Sequence, residues 1–121
     1  MSKKILIIED EQTLVKVLVE AFSENGYKVE TAIDGEEGWK KVQEFEPDLI
    51  LLDLILPKMD GFEILHRIKK NEKLKNTAVL ILTNLSDVKD RCHKMGAVAC
   101  LVKSDESIDN IKKAVKQVLQ F

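Results

Sequence analysis

The chain has 121 residues, 45% of them hydrophobic and 33% charged, with a formal net charge of −2. This size and balance suit one globular domain with a single core, exclude a disordered chain and offer no basic footprint for nucleic acid. No apolar run approaches the roughly 18 residues of a membrane span, and the apolar run in "MSKKILIIED" is too short for a signal peptide.

Apolar bursts alternate with amphipathic stretches from end to end, with no repeat or low-complexity linker between them. "KKILII" predicts a first strand. "EQTLVKVLVEAFSEN" predicts a helix with Leu14, Val17, Leu18, Ala21 and Phe22 inward and Gly26 as its stop. "YKVETA" predicts a second strand. Asp34 then caps "GEEGWKKVQEF", which has acids in its first turn and ends before Pro47. "DLILL" predicts a third strand. Asp60 caps "GFEILHRIKKN", whose inner face is Phe62, Leu65 and Ile68, and Gly61 is expected to allow the tight turn before it. "AVLIL" predicts a fourth strand. "SDVKDRCHKM" predicts a weak helix with Val88, Cys92 and Met95 inside, stopped by Gly96. "ACLV" predicts a fifth strand, and the last segment sets Ile108, Ile111, Val115, Val118 and Leu119 on one helical face.

Five strands thus alternate with five helices. Strands that are apolar on both faces belong to a parallel sheet covered on each side. Right-handed crossovers then give a doubly wound, three-layer α/β domain over residues 1–121. Strand order 2-1-3-4-5 fits, because strand two is the most polar, as an edge strand should be, and strands one, three and four are the most apolar.

In such a sheet the ligand site lies outside the carboxyl ends of the strands, where the winding reverses, here between strands one and three. Strand one ends at Glu9 and Asp10, strand three at Asp53, strand four at Thr83 and strand five at Lys103. At about 5 Å and an effective dielectric of about 20, each pair of like charges costs roughly 3 kcal/mol. Relief requires a cation, a proton or the Lys103 ammonium. A cluster of hard carboxylate oxygens open to water suits Mg2+ best, and no His or Cys cluster offers a zinc alternative. The rest fits phosphoryl transfer: Asp53 as nucleophile, Lys103 and a metal to stabilise charge on the equatorial oxygens, and the Thr83 hydroxyl as a donor to one of them.

These pieces, "ILIIEDE", "DLILLDLILPKMDGFEIL", "ILT" and "LVK", resemble the receiver domain of two-component response regulators over nearly the whole chain. The resemblance implies a flavodoxin-like fold of order 2-1-3-4-5. It implies Asp53 as phosphoacceptor, served by a phosphohistidine on a sensor histidine kinase or phosphotransfer protein. It implies Mg2+ bound by Asp10, Asp53 and the Ile55 backbone carbonyl, with Glu9 acting through a bound water, and Thr83 and Lys103 on the phosphoryl oxygens. It also implies a shift between inactive and active conformations, read by a downstream protein on the face of helix four, strand five and helix five. No nucleic acid or membrane partner is expected of this domain.

Three residues depart from the family pattern. Ser104 follows Lys103 where the family usually has a proline after a cis peptide. Without proline a cis bond costs about 2.5–4 kcal/mol, so the bond is predicted trans, with Lys103 placed somewhat differently. Cys100 stands where an aromatic switch residue is usual, so aromatic–threonine coupling cannot operate in its usual form. Asn84 follows the threonine where a small residue is usual, and is expected to narrow access to Asp53. Ile55 and Leu85 occupy family positions beside the path of hydrolytic water; both are apolar, which predicts slow loss of the phosphoryl group.

Other residues take plainer readings. His66 and His93 are predicted on the surface, Trp39 partly buried, and Lys112, Lys113 and Lys116 on a solvated face. Cys92 and Cys100 are read as small apolar fillers and build no disulfide framework, which points to a reducing cytoplasm. The leading expectation is a stand-alone phosphorylatable switch, although the same residues fit as a piece of a longer regulator. Two other classes stay open: an interaction module independent of phosphorylation, and an Asp-nucleophile phosphatase, for which Ile55 replaces the usual general acid. No Gly-rich phosphate loop follows any strand, which argues against a nucleotide site.

Overall fold

The computed structural model of the chain describes residues 2–120. Its elements run β1 (Lys4–Ile8), α1 (Gln12–Glu24), β2 (Lys28–Ala32), α2 (Gly35–Phe45), β3 (Leu49–Leu52), α3 (Gly61–Lys70), β4 (Ala78–Thr83), α4 (Lys89–Lys94), β5 (Ala99–Val102), a 3-10 turn (Lys103–Asp105) and α5 (Ile108–Leu119). The five strands are all parallel, in the expected order β2-β1-β3-β4-β5.

Side-chain alternation along a strand divides the core into two layers. Leu6 and Ile8, Ile50 and Leu52, and Val79 and Ile81 face one way, against Val42 of α2, Ile64 and Ile68 of α3 and Cys92 of α4. Ile5 and Ile7, Leu49 and Leu51, and Leu80 and Leu82 face the other way, against Leu18 and Phe22 of α1 and Ile111 and Val115 of α5. The central strands are continuous apolar runs because both of their faces are covered.

Asp34 and Asp60 cap as expected, accepting from Glu37 N at 2.8 Å and Glu63 N at 2.9 Å. Three local expectations need correction. The buried stripe of α1 is Val15, Leu18 and Phe22, while Val17 is 45% exposed. With Leu14, Val15, Val17, Leu18 and Val19 all apolar, the sequence offers two overlapping stripes, and packing on the sheet selects one. In α3, Ile64 is fully buried and Phe62 only partly so. The segment predicted as the weak helix is helical only over Lys89–Lys94, because Asp87 adopts a left-handed φ of 59° and Val88, the residue before the helix, provides no side-chain cap.

Gly61 also acts differently from expectation. Its φ is not left-handed. A Cβ there would run into the Asp53 carbonyl and the Leu54 Cα, so glycine is needed for close backbone approach between the start of α3 and the end of β3. Gly61→Ala is therefore expected to cost about 1–3 kcal/mol through overpacking against backbone that cannot step aside. A urea midpoint equal to the parent's would contradict this account.

Candidate functional site

Among the described residues, the buried polar or charged ones are Glu9, Asp53 and Thr83, at 2%, 5% and 0% exposure. All three stand at carboxyl ends of strands. Parallel pairing puts them there: β1 and β3 run in register through Ile8 and Leu52, and Asp53 N donates to Ile8 O at 3.1 Å, one step past the strand. Glu9 N donates to Ala32 O at 3.0 Å on the other side. Carboxylate oxygens of Glu9, Asp10 and Asp53 lie within 4.8 Å of one another.

Lys103 arrives from β5 and reaches across the rim. Its Nζ is 2.6 Å from Glu9 Oε1, 2.8 Å from Asp53 Oδ2 and 4.0 Å from Glu11 Oε1. The other oxygen of each buried acid also has a partner. Glu9 Oε2 accepts from Glu11 N at 3.0 Å, and Asp53 Oδ1 accepts from Ile55 N at 3.3 Å. Thr83 Oγ1 accepts from Leu85 N at 3.4 Å. Burial raises the Glu9 carboxyl above its ordinary pKa and the Asp53 charge adds to the rise; the hydrogen bonds from Lys103 and Glu11 N oppose it without cancelling it. Burial alone would lower Lys103, but its hydrogen bonds to Asp53 and Glu9 and their charges outweigh that and hold the ammonium above its ordinary value.

The loop after Asp53 is pinned at several points. Gly61 N donates to Leu54 O at 3.0 Å, and Pro57 O accepts from both Gly35 N (3.1 Å) and Met59 N (2.8 Å). Ile55 turns its side chain outward at the mouth of the site, 56% exposed. Glu9, Asp10, Asp53 and Lys103 are thus brought together at one rim, and Thr83 ends the neighbouring strand β4. The Lys103–Ser104 peptide is trans, as predicted, and Lys103 still reaches Asp53 directly. Two features escaped the sequence. Lys103 contacts Glu9 as closely as Asp53, a pairing across 94 positions that no local pattern announces. Asn84, expected to narrow the approach to Asp53, has its side-chain oxygen bound to Ser104 N at 2.9 Å.

A buried carboxylate paired with an ammonium, with two more carboxylates beside it, stands at the carboxyl edge where doubly wound parallel sheets bind their ligands. Comparison with known proteins agrees. Residues 5–116 match the family model described as the response regulator receiver domain, and the chain belongs to that family. It is 36% identical over 121 residues to sporulation initiation phosphotransferase F of Bacillus subtilis (strain 168), covering 98% of this chain and 95% of that one. It is 42% identical over 83 residues to the alkaline phosphatase synthesis transcriptional regulatory protein PhoP of the same organism, covering 69% of this chain. That match spans 34% of the regulator's length. The structure of the phosphorylated cyanobacterial phytochrome response regulator RcpA superposes with a TM-score of 0.83 at 30% identity, covering 100% of this chain and 94% of that one.

Removing the ammonium leaves two carboxylates out of water without their counter-charge. In metal-free buffer at neutral pH, Lys103→Met is expected to lose about 3–5 kcal/mol of stability. Adding Asp53→Asn to it should recover part of that loss, since one of the stranded charges is then gone. Urea denaturation of the two variants measures both, and a Lys103→Met chain as stable as the parent would contradict the pairing.

Proposed function

We propose that the chain, over residues 1–121, is a phosphorylation-controlled signalling switch with Asp53 as phosphoacceptor. The observation that carries this reading is the 2.8 Å contact of Lys103 Nζ with Asp53 Oδ2, with the Glu9 and Asp10 carboxylates alongside. The phosphoryl group comes from a phosphohistidine on a sensor kinase or phosphotransfer protein. An Asp53 oxygen attacks phosphorus in line; the new P–O bond forms as the P–N bond breaks, and the electron pair leaves with the imidazole. A carboxylate nucleophile needs no general base.

Lys103 is poised to move its ammonium from the Asp53 carboxylate to an equatorial phosphoryl oxygen, so the counter-charge is already in the site. Thr83 Oγ1 accepts from Leu85 N and keeps its own hydroxyl proton free to donate to a second phosphoryl oxygen. The hard-oxygen set of Asp10, Asp53 and the Ile55 backbone carbonyl, with Glu9 acting through water, fits Mg2+. When bound, that ion supplies the charge neutralisation that one ammonium cannot.

Phosphorylation then shifts a conformational equilibrium read by a downstream protein at the α4–β5–α5 face. Cys100 is half-buried there, against the cluster that contains Cys92, so the coupling does not use an aromatic ring. Two free cysteines fit a reducing cytoplasm. No helix among the described residues is long and apolar enough to cross a membrane.

Incubation with Mg2+ and acetyl phosphate should add one phosphoryl mass to the parent and none to Asp53→Asn. Equal labelling of both, or of neither, would reject Asp53 as the acceptor; steady release of inorganic phosphate from monoesters would point instead to a phosphatase. The apolar mouth gives a second expectation. Polar side chains at Ile55 and Leu85, as in Ile55→Gln with Leu85→His, should orient water and speed loss of the phosphoryl group by about tenfold. A decay rate equal to the parent's would show that these positions do not control water.

A further inference from the structure

The β4–β5 ladder ends at the Thr83–Val102 pair. Beyond it the two chains part: β5 turns into the 3-10 turn Lys103–Asp105, and β4 enters the loop that contains the left-handed Asp87. One side chain carries the connection a step further. Asn84 Oδ1 accepts the backbone N–H of Ser104 at 2.9 Å. Asn84 directly follows Thr83, and Ser104 directly follows Lys103. The bond therefore ties together the two loops from which the hydroxyl and the ammonium of the site are launched. It needs a backbone donor at 104, which proline lacks, and a side-chain acceptor at 84, which alanine or glycine lacks.

We propose that Asn84 is a positioning residue for phosphoryl binding, holding the 3-10 turn so that Lys103 projects onto Asp53. This role rests on the phosphoacceptor reading above. Lys103 has a flexible stem, and Glu11 Oε1 offers it an outward alternative at 4.0 Å. The ion pairs with Glu9 and Asp53 draw the ammonium inward, and the turn, attached to the body of the sheet through Val102 and through this bond, sets the backbone from which Lys103 reaches them. The two departures from the family pattern at 84 and 104 then form one device, in which each supplies what the other requires.

The test has two readouts. Backbone amide hydrogen exchange at Ser104 should show protection in the parent, loss of it in Asn84→Leu, and retention in Asn84→Asp, which keeps the acceptor. With saturating Mg2+, Asn84→Leu should bind beryllofluoride about fivefold more weakly than the parent, the worth of one hydrogen bond. Its affinity for Mg2+ alone should be equal or higher, because an ammonium released from the carboxylates competes less with the cation. A Ser104 amide that exchanges freely in the parent overturns the proposal, as does an unchanged beryllofluoride affinity in Asn84→Leu. Parallel loss of both affinities would mark Asn84 as merely structural and also overturn it. A parent chain that binds no beryllofluoride rejects the phosphoacceptor reading and takes this role with it.

Discussion

One ammonium group faces two carboxylates that the sheet has removed from water, and the geometry of the rim follows from keeping them together. Lys103 Nζ touches Glu9 and Asp53 at 2.6 and 2.8 Å, while both acids are almost fully buried. Acids so placed would repel each other and lose their hydration, and the ammonium offsets both costs only while it stays between them. The parallel arrangement makes this possible. All strands point the same way, so the residue that ends each one lies on the same edge, and the register through Ile8 and Leu52 makes Glu9 and Asp53 neighbours.

That edge was largely legible in the sequence because the two signals reinforce each other. The runs "ILII", "LILL" and "AVLIL" are apolar on both faces, which only a covered parallel strand requires. Polar residues that interrupt such runs at their carboxyl ends stand out, and Glu9, Asp10, Asp53 and Thr83 are of this kind. Lys103 ends a shorter, half-buried strand and stands out only when the topology places it opposite the acids.

What the sequence did not disclose falls into two physical classes. In α1 the apolar residues are too many for periodicity to choose between stripes; packing beside β2 and α5 buries Val15, Leu18 and Phe22, with Leu18 and Phe22 in the layer that holds Ile5 and Ile7. The Lys103–Glu9 and Asn84–Ser104 contacts join residues far apart in the chain. Asn84 and Ser104 were visible as unusual residues, but the bond between a side chain and a backbone N–H has no residue pattern of its own. Gly61 is similar: glycine was expected there, yet its reason is the Asp53 carbonyl pressed against it and not the conformation of a turn.

The sheet also has two open borders, β2 and β5, whose outer backbone groups have no strand to pair with among the described residues. An open border invites another chain to add itself, which is a route to fibres. Here β2 sets Lys28 and Glu30 along that border, with Lys41 3.8 Å from Glu30. The β5 border is four residues long and gives way at once to the 3-10 turn. An incoming strand would have to bury charge on one side and would run out of partners on the other.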